Sequence, residues 1–141
     1  MDAREYLEQI KDLDGLIEDL NTEVEEKEER AMRVTRRVWT YAIPSKEKEE
    51  MADAVVEYVD IERGELRGLV QKRQEIIDTM RLLPSKQFGV LYRRYVLGRE
   101  FYEIAIAYDR SESWVKSMIR TALDNLQKIL DEREKNESVL R

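Results

Sequence analysis

The sequence contains no cysteine and no histidine. The first absence removes disulfides and thiolate metal sites; the second removes every proton transfer or metal contact that imidazole could make. Five glycines and two prolines in 141 residues are too few for a turn-rich β-sandwich or a low-complexity chain. No run of 18 apolar residues occurs, and the first residues lack the basic-then-apolar profile of a signal peptide, so a soluble, cytoplasmic protein is expected. No glycine-rich phosphate loop is present, and the acidic residues do not fall at metal-ligand spacing. Carboxylates abound, but on exposed helical faces with no cleft to hold a substrate. The expectation is a protein without catalytic residues, cofactor or metal.

What the sequence does have is charge. Asp, Glu, Lys and Arg make up 40% of the residues, with a net charge of −6, a composition suited to long exposed helices. The sign is unevenly spread. Residues 1–81 carry a balance of −8, residues 82–130 a balance of +3, and residues 131–141 a balance of −1. A basic segment in an acidic chain marks where a polyanion would be met.

From Ala3 to Tyr41 the apolar residues keep a heptad register. One seam position runs Ala3, Ile10, Ile17, Val24, Ala31, Val38; the other runs Tyr6, Leu13, Leu20, Lys27, Val34, Tyr41. A 3.5-residue repeat held this long predicts a coiled-coil-like helix. Only Lys27 interrupts it, so Lys27→Leu is expected to raise stability. Pro44 ends the helix near Tyr41, and Ser45 is placed to cap a second one. There Met51, Val55, Tyr58, Glu62, Leu66, Leu69, Arg73, Ile76 and Met80 trace a weaker stripe. The fold class is therefore all-α, opening with a long antiparallel helical hairpin over residues 1–82. So long an apolar seam predicts a homodimer or higher oligomer. Arg33, Arg36 and Arg37 with Trp39 form a basic-aromatic cluster at the hairpin tip, most simply a solvated loop with aromatic anchors, the alternative being a second nucleic-acid or polymerase contact.

After Leu83-Pro84 the pattern becomes three shorter helices over residues 83–130: Ser85–Leu97, Phe101–Tyr108 and Ser111–Leu130. Residues 131–141 read as a charged, fraying tail. Ala105, Asp109 and Val115 have the spacing of a helix-turn-helix: a small residue where the helices touch, a residue tolerant of φ > 0 in the turn, and an apolar plug. Ser111 is a natural N-cap, and Glu112 suits the positive end of the helix dipole. With Val115, Ile119, Ala122 and Leu126 inward, Ser113, Lys116, Ser117 and Arg120 share the outer face. Lys and Arg can address guanine edges, and serine adapts to either base. Arg99 and Arg110 suit phosphates, and Ser111 and Glu112 complete the candidate DNA-binding set. A fragment beginning at residue 82 is expected to fold by itself.

The stretch LPSKQFGVLYRRYVLGREFYEIAIAYDRSESWVKSMIRTALDNL resembles region 4 of the sigma-70 family. The resemblance rests on Leu83-Pro84, Arg94-Tyr95, Glu103-Ile104-Ala105 and the Ser111, Val115, Ala122, Leu126 series. It is similar in layout to the phage RinA- and ArpU-type late-gene activators, and it covers roughly the last third of the chain. The resemblance implies a three-helix DNA-binding domain, double-stranded DNA as ligand and host RNA polymerase as a candidate partner. The function expected is sequence-specific transcription regulation. The alternatives are a coiled-coil adaptor that binds polymerase or another protein without DNA, and a small-terminase-like DNA-recognition subunit of a phage packaging machine.

Overall fold

The computed structural model describes residues 1–40 and 45–140, and among them finds only helices. Five are α-helices: α1 Ala3–Thr40, α2 Ser45–Met80, α3 Ser85–Leu91, α4 Phe101–Tyr108 and α5 Glu112–Leu140. A single π-helical turn, Tyr92–Val96, follows α3 directly. No described helix is long and apolar enough to cross a membrane. The chain divides into two compact units. One comprises Met1–Asp12 with Arg73–Arg141, the other Leu13–Lys72.

The Leu13–Lys72 unit holds the middle of the hairpin. Leu13 and Val24 are buried, and Ile17, Leu20, Lys27 and Ala31 are half-buried. The heptad seam of α1 therefore faces inward at every position whose side chain is described. On α2, Val59 and Glu62 are buried and Leu66 and Leu69 half-buried. Among the described residues of this unit, Lys27 pairs with Glu62 and Arg63 with Glu28 from one helix to the other. Tyr41 and Pro44 lie outside the described residues. So do the side chains of Val34, Arg37, Val38, Trp39, Ser45, Met51, Val55 and Tyr58, which leaves the basic-aromatic cluster without a structural account.

Lys27 is where the sequence expectation has to be corrected. Its ammonium lies against the buried Glu62 carboxylate and 3.0 Å from Glu23. The lysine is held by Glu62 Oε1, and Oε2 has no hydrogen-bond partner among the described residues. The seam break is thus half of an ion pair across the hairpin. Removing the lysine alone strands a carboxylate in a nearly dry seam, a larger loss than the gain from one leucine. We expect Lys27→Leu to destabilise the protein by about 1–3 kcal/mol, discounted because the lysine keeps some solvent contact. The double variant Lys27→Leu/Glu62→Leu should recover that loss or exceed it, as urea titrations of the two would show.

In the other unit, α3, α4 and α5 pack with the first turns of α1 and the last turns of α2. Its core takes Leu7 and Ile10 from α1, Ile76, Ile77 and Met80 from α2, and Val90, Leu91, Ile104, Val115 and Leu126 from the remainder. A fragment beginning at residue 82 would lack the first five of these, which the sequence pattern leaves outside the domain. Polar contacts tie the same elements. The Thr79 hydroxyl, almost fully buried, donates to the Glu75 carbonyl (2.9 Å) and accepts from Tyr6 Oη (3.1 Å) and Arg133 Nη1 (2.8 Å). That uses its one donor and both lone pairs. The Ala3 N–H, one of the unpaired donors at the start of α1, donates to Gln127 Oε1 at 2.7 Å.

α5 continues past Leu130 to Leu140, where a fraying tail is expected from sequence. Its last turns carry no apolar stripe, but Arg133 reaches Thr79 and helical backbone bonding proceeds without one. Thr79→Val keeps shape and removes the acceptor shared by Tyr6 and Arg133. It should cost about 1–2 kcal/mol in chemical denaturation.

Candidate nucleic-acid interface

The reversal between α4 and α5 fixes what the domain can present. Asp109 adopts φ 53°, ψ 49°, the left-handed region. The Arg110 N–H then donates to the Ala105 carbonyl (2.9 Å) and the Asp109 N–H to that of Ile106 (3.2 Å), a Schellman closure of α4. Ser111 caps α5 at once: its Oγ accepts the Trp114 N–H at 3.1 Å. Ala105 and Val115 are both buried at the crossing, as their spacing predicts.

Around this turn the aromatics hold cations. Tyr108 and Trp114 meet with ring centroids 5.6 Å apart. A Cβ on Gly89 would overlap the Tyr108 hydroxyl, so glycine there permits the close approach. Arg93 lies over Tyr108 (5.2 Å) and Arg110 over Trp114 (5.6 Å). Arg94 at 4.3 Å and Lys116 at 5.5 Å both attend the Phe101 ring. Such contacts occur about once per 70–80 residues in ordinary structures, so four within one small domain is a concentration. A ring restrains a cation without neutralising it, and the local positive potential survives.

The helix before the turn departs from the regular α-helix that the sequence predicts for Ser85–Leu97. Past Leu91 it widens into the π-helical turn, with Leu97 N–H donating to the Tyr92 carbonyl (3.0 Å), and Gly98 closes it at φ 67°. One extra residue in a turn re-phases the side chains around it, and this segment supplies the two arginines that rest on Phe101 and Tyr108. Apolar periodicity over five residues cannot distinguish the two helix types. Within it, burial pushes the Tyr95 phenol above its ordinary value, while Arg4 at the start of α1 counteracts part of that rise.

All eight candidate DNA-binding residues are exposed. Ser113, Lys116, Ser117 and Arg120 lie together on the outer face of α5, opposite the buried Val115, Ile119, Ala122 and Leu126. Ser111 and Glu112 stand at its N-terminus; Ser111 is committed to the cap but keeps its hydroxyl donor. Arg110 and Glu112 border one shallow depression with the exposed Tyr102 and Ile106. Arg99 sits apart, before α4, with Nη1 3.6 Å from Glu103. Sequence reasoning missed the cation–ring contacts of Arg93 and Arg94. It also missed Arg4, which no local pattern connects to residues at the far end of the chain.

The turn makes a direct prediction. Asp109→Gly should be neutral or stabilising by a few tenths of a kcal/mol, because relief of left-handed strain is partly offset by glycine's greater freedom when unfolded. Asp109→Val should cost about 1–3 kcal/mol, read as a lowered thermal midpoint.

Residues 79–128 match the family model for sigma-70, region 4. Comparisons with curated proteins and with solved structures gave no match. The matched span opens at Thr79, the buried hydroxyl that joins α2 to α1 and α5, and runs through the exposed face of α5. This part of the chain is a sigma-70 region 4-like helix-turn-helix domain, a regulatory domain of the DNA-binding kind.

Proposed function

We propose that the chain is a sequence-specific transcription regulator that reads duplex DNA with the outer face of α5. The biological setting that fits best is a phage late-gene activator acting beside host RNA polymerase. The observation that carries the reading is the exposed Ser113, Lys116, Ser117, Arg120 stripe, set forward by a helix-turn-helix inside a segment that matches sigma-70 region 4. An α-helix fits the major groove, and that stripe offers it two cations and two adaptable hydroxyls. Arg110 and Arg99 serve as phosphate contacts that set register without reading sequence.

The hairpin's part in this proposal is self-association. Its α1 seam faces inward within the chain, so association would draw on the exposed Leu16, Met32, Ile61 and Val70. A dimer would place two recognition helices on half-sites about 34 Å apart or a multiple of that. Phage origin and polymerase contact rest on the resemblance to late-gene activators.

Lys116→Ala and Arg120→Ala should each lower affinity for a selected duplex by about 1–3 kcal/mol and leave the thermal midpoint unchanged. Val115→Asp should unfold the domain, since it buries an unpaired charge. Selection of binding sites from a random duplex pool, followed by anisotropy titration, measures the first two. Folded variants with unchanged affinity would overturn the assignment and favour an adaptor that binds protein.

A further inference from the structure

A surface cavity lies between the first turn of α1, the Phe101 ring and the side of α5. Three cations line it, Arg4, Lys116 and Arg120, together with the carboxylates of Asp2 and Asp124. Among the described residues none of the three cations forms an ion pair, although two carboxylates share the cavity. The positions of Lys116 and Arg4 are defined by other means. Lys116 attends the Phe101 ring, and Arg4 lies by the Tyr95 hydroxyl. The turn that carries Arg4 is itself anchored to α5, through the Ala3 N–H to Gln127 and through Gln127 Nε2 to the Met1 carbonyl at 3.0 Å.

We propose that this cavity is a phosphate-binding site, and that Arg4 joins Lys116 and Arg120 there to hold a backbone phosphate of the DNA that α5 reads. Three cations against two carboxylates leave the concavity a positive balance, and with none of the cations drawn into an ion pair that balance favours an anion. Lys116 and Arg120 belong to both the groove-facing stripe and the cavity wall, so a duplex on that stripe brings its phosphates to the cavity mouth. Arg4 lies outside the segment that matches sigma-70 region 4, so its contribution would be an addition by this chain to the helix-turn-helix. Its role is to position, not to read: a phosphate contact carries no sequence information. The inference rests on the DNA-binding reading of α5, and the experiment separates the two.

The measurement is the salt dependence of binding by the full chain to a random-sequence duplex of about 24 base pairs, a length covering roughly two helical turns. Each phosphate contact contributes about 0.9 to the slope of log affinity against log salt. Arg4→Gln should shallow that slope by about 0.9 and weaken binding several-fold on any sequence, and Arg4→Lys should restore it. If Lys116→Gln and Arg120→Gln shallow the slope while Arg4→Gln does not, the proposal fails and the DNA-binding reading stands. If none of the three changes it, the reading fails as well. A second arm follows the thermal midpoint with inorganic phosphate at constant ionic strength. Should Arg4→Gln abolish a phosphate-dependent rise without altering the DNA slope, the site takes free phosphate and its assignment to DNA is overturned.

Discussion

The left-handed residue at Asp109 is the constraint on which the helix-turn-helix geometry depends. A helix cannot reverse in so few residues unless one residue leaves the right-handed region, and the Schellman bonds to Ala105 and Ile106 are available only after it has done so. Those bonds close α4, and Ser111 opens α5 at once. Between them the backbone of the turn sets the direction of α5. Val115 against Ala105 and Trp114 against Tyr108 then hold it. The outward direction of Ser113, Lys116, Ser117 and Arg120 is therefore a consequence of backbone chemistry at a single aspartate.

Much of this is legible in the sequence because the relevant signals are local. The spacing of Ala105, Asp109 and Val115 spans less than three turns, and capping by Ser111 is a matter of three residues. The heptad seam of α1 repeats often enough to declare its inward face. Lys27 shows where locality runs out. Its register identifies it as an interruption, but the carboxylate that compensates it comes from α2 and has no signature of its own. The same holds for Thr79, an unremarkable hydroxyl in the sequence whose partners come from α1 and α5. The π-helical turn escaped because it alters phase over five residues, too few to disturb an apolar pattern.

The first turn of α1 carries the largest departure from a reading by segments. A boundary drawn at residue 82 separates a hairpin from a DNA-binding domain in sequence, yet Leu7 and Ile10 belong to the core shared with α5. Gln127 explains part of the attraction. A helix start has four N–H groups without helical partners, and the amide of Gln127 accepts from one while donating to the Met1 carbonyl. Thr79 satisfies Tyr6 and Arg133 at the same junction. Polar groups that would cost free energy if buried alone are here each other's partners. The boundary in the sequence is thus one of helix pattern and not of packing.

A net charge of −6 would seem to disqualify the chain from binding a polyanion, but a phosphate does not respond to net charge. At physiological salt the screening length is about 8 Å, so the charges within that distance decide the interaction. Around the turn and α5 these include Arg93, Arg94, Arg110 and Lys116, each resting on an aromatic ring. Arg94 also lies 3.8 Å from a Glu100 carboxylate oxygen; for the other three, pairing with carboxylates would restrain them equally well but cancel the potential they produce. A ring quadrupole attracts a cation and leaves its charge in place. Restraint without neutralisation is what a polyanion-binding surface requires, because it reduces the side-chain entropy lost on binding while preserving the attraction. The acidic excess lies in the first 81 residues, so in the proposed reading the local set of cations would govern the meeting with DNA.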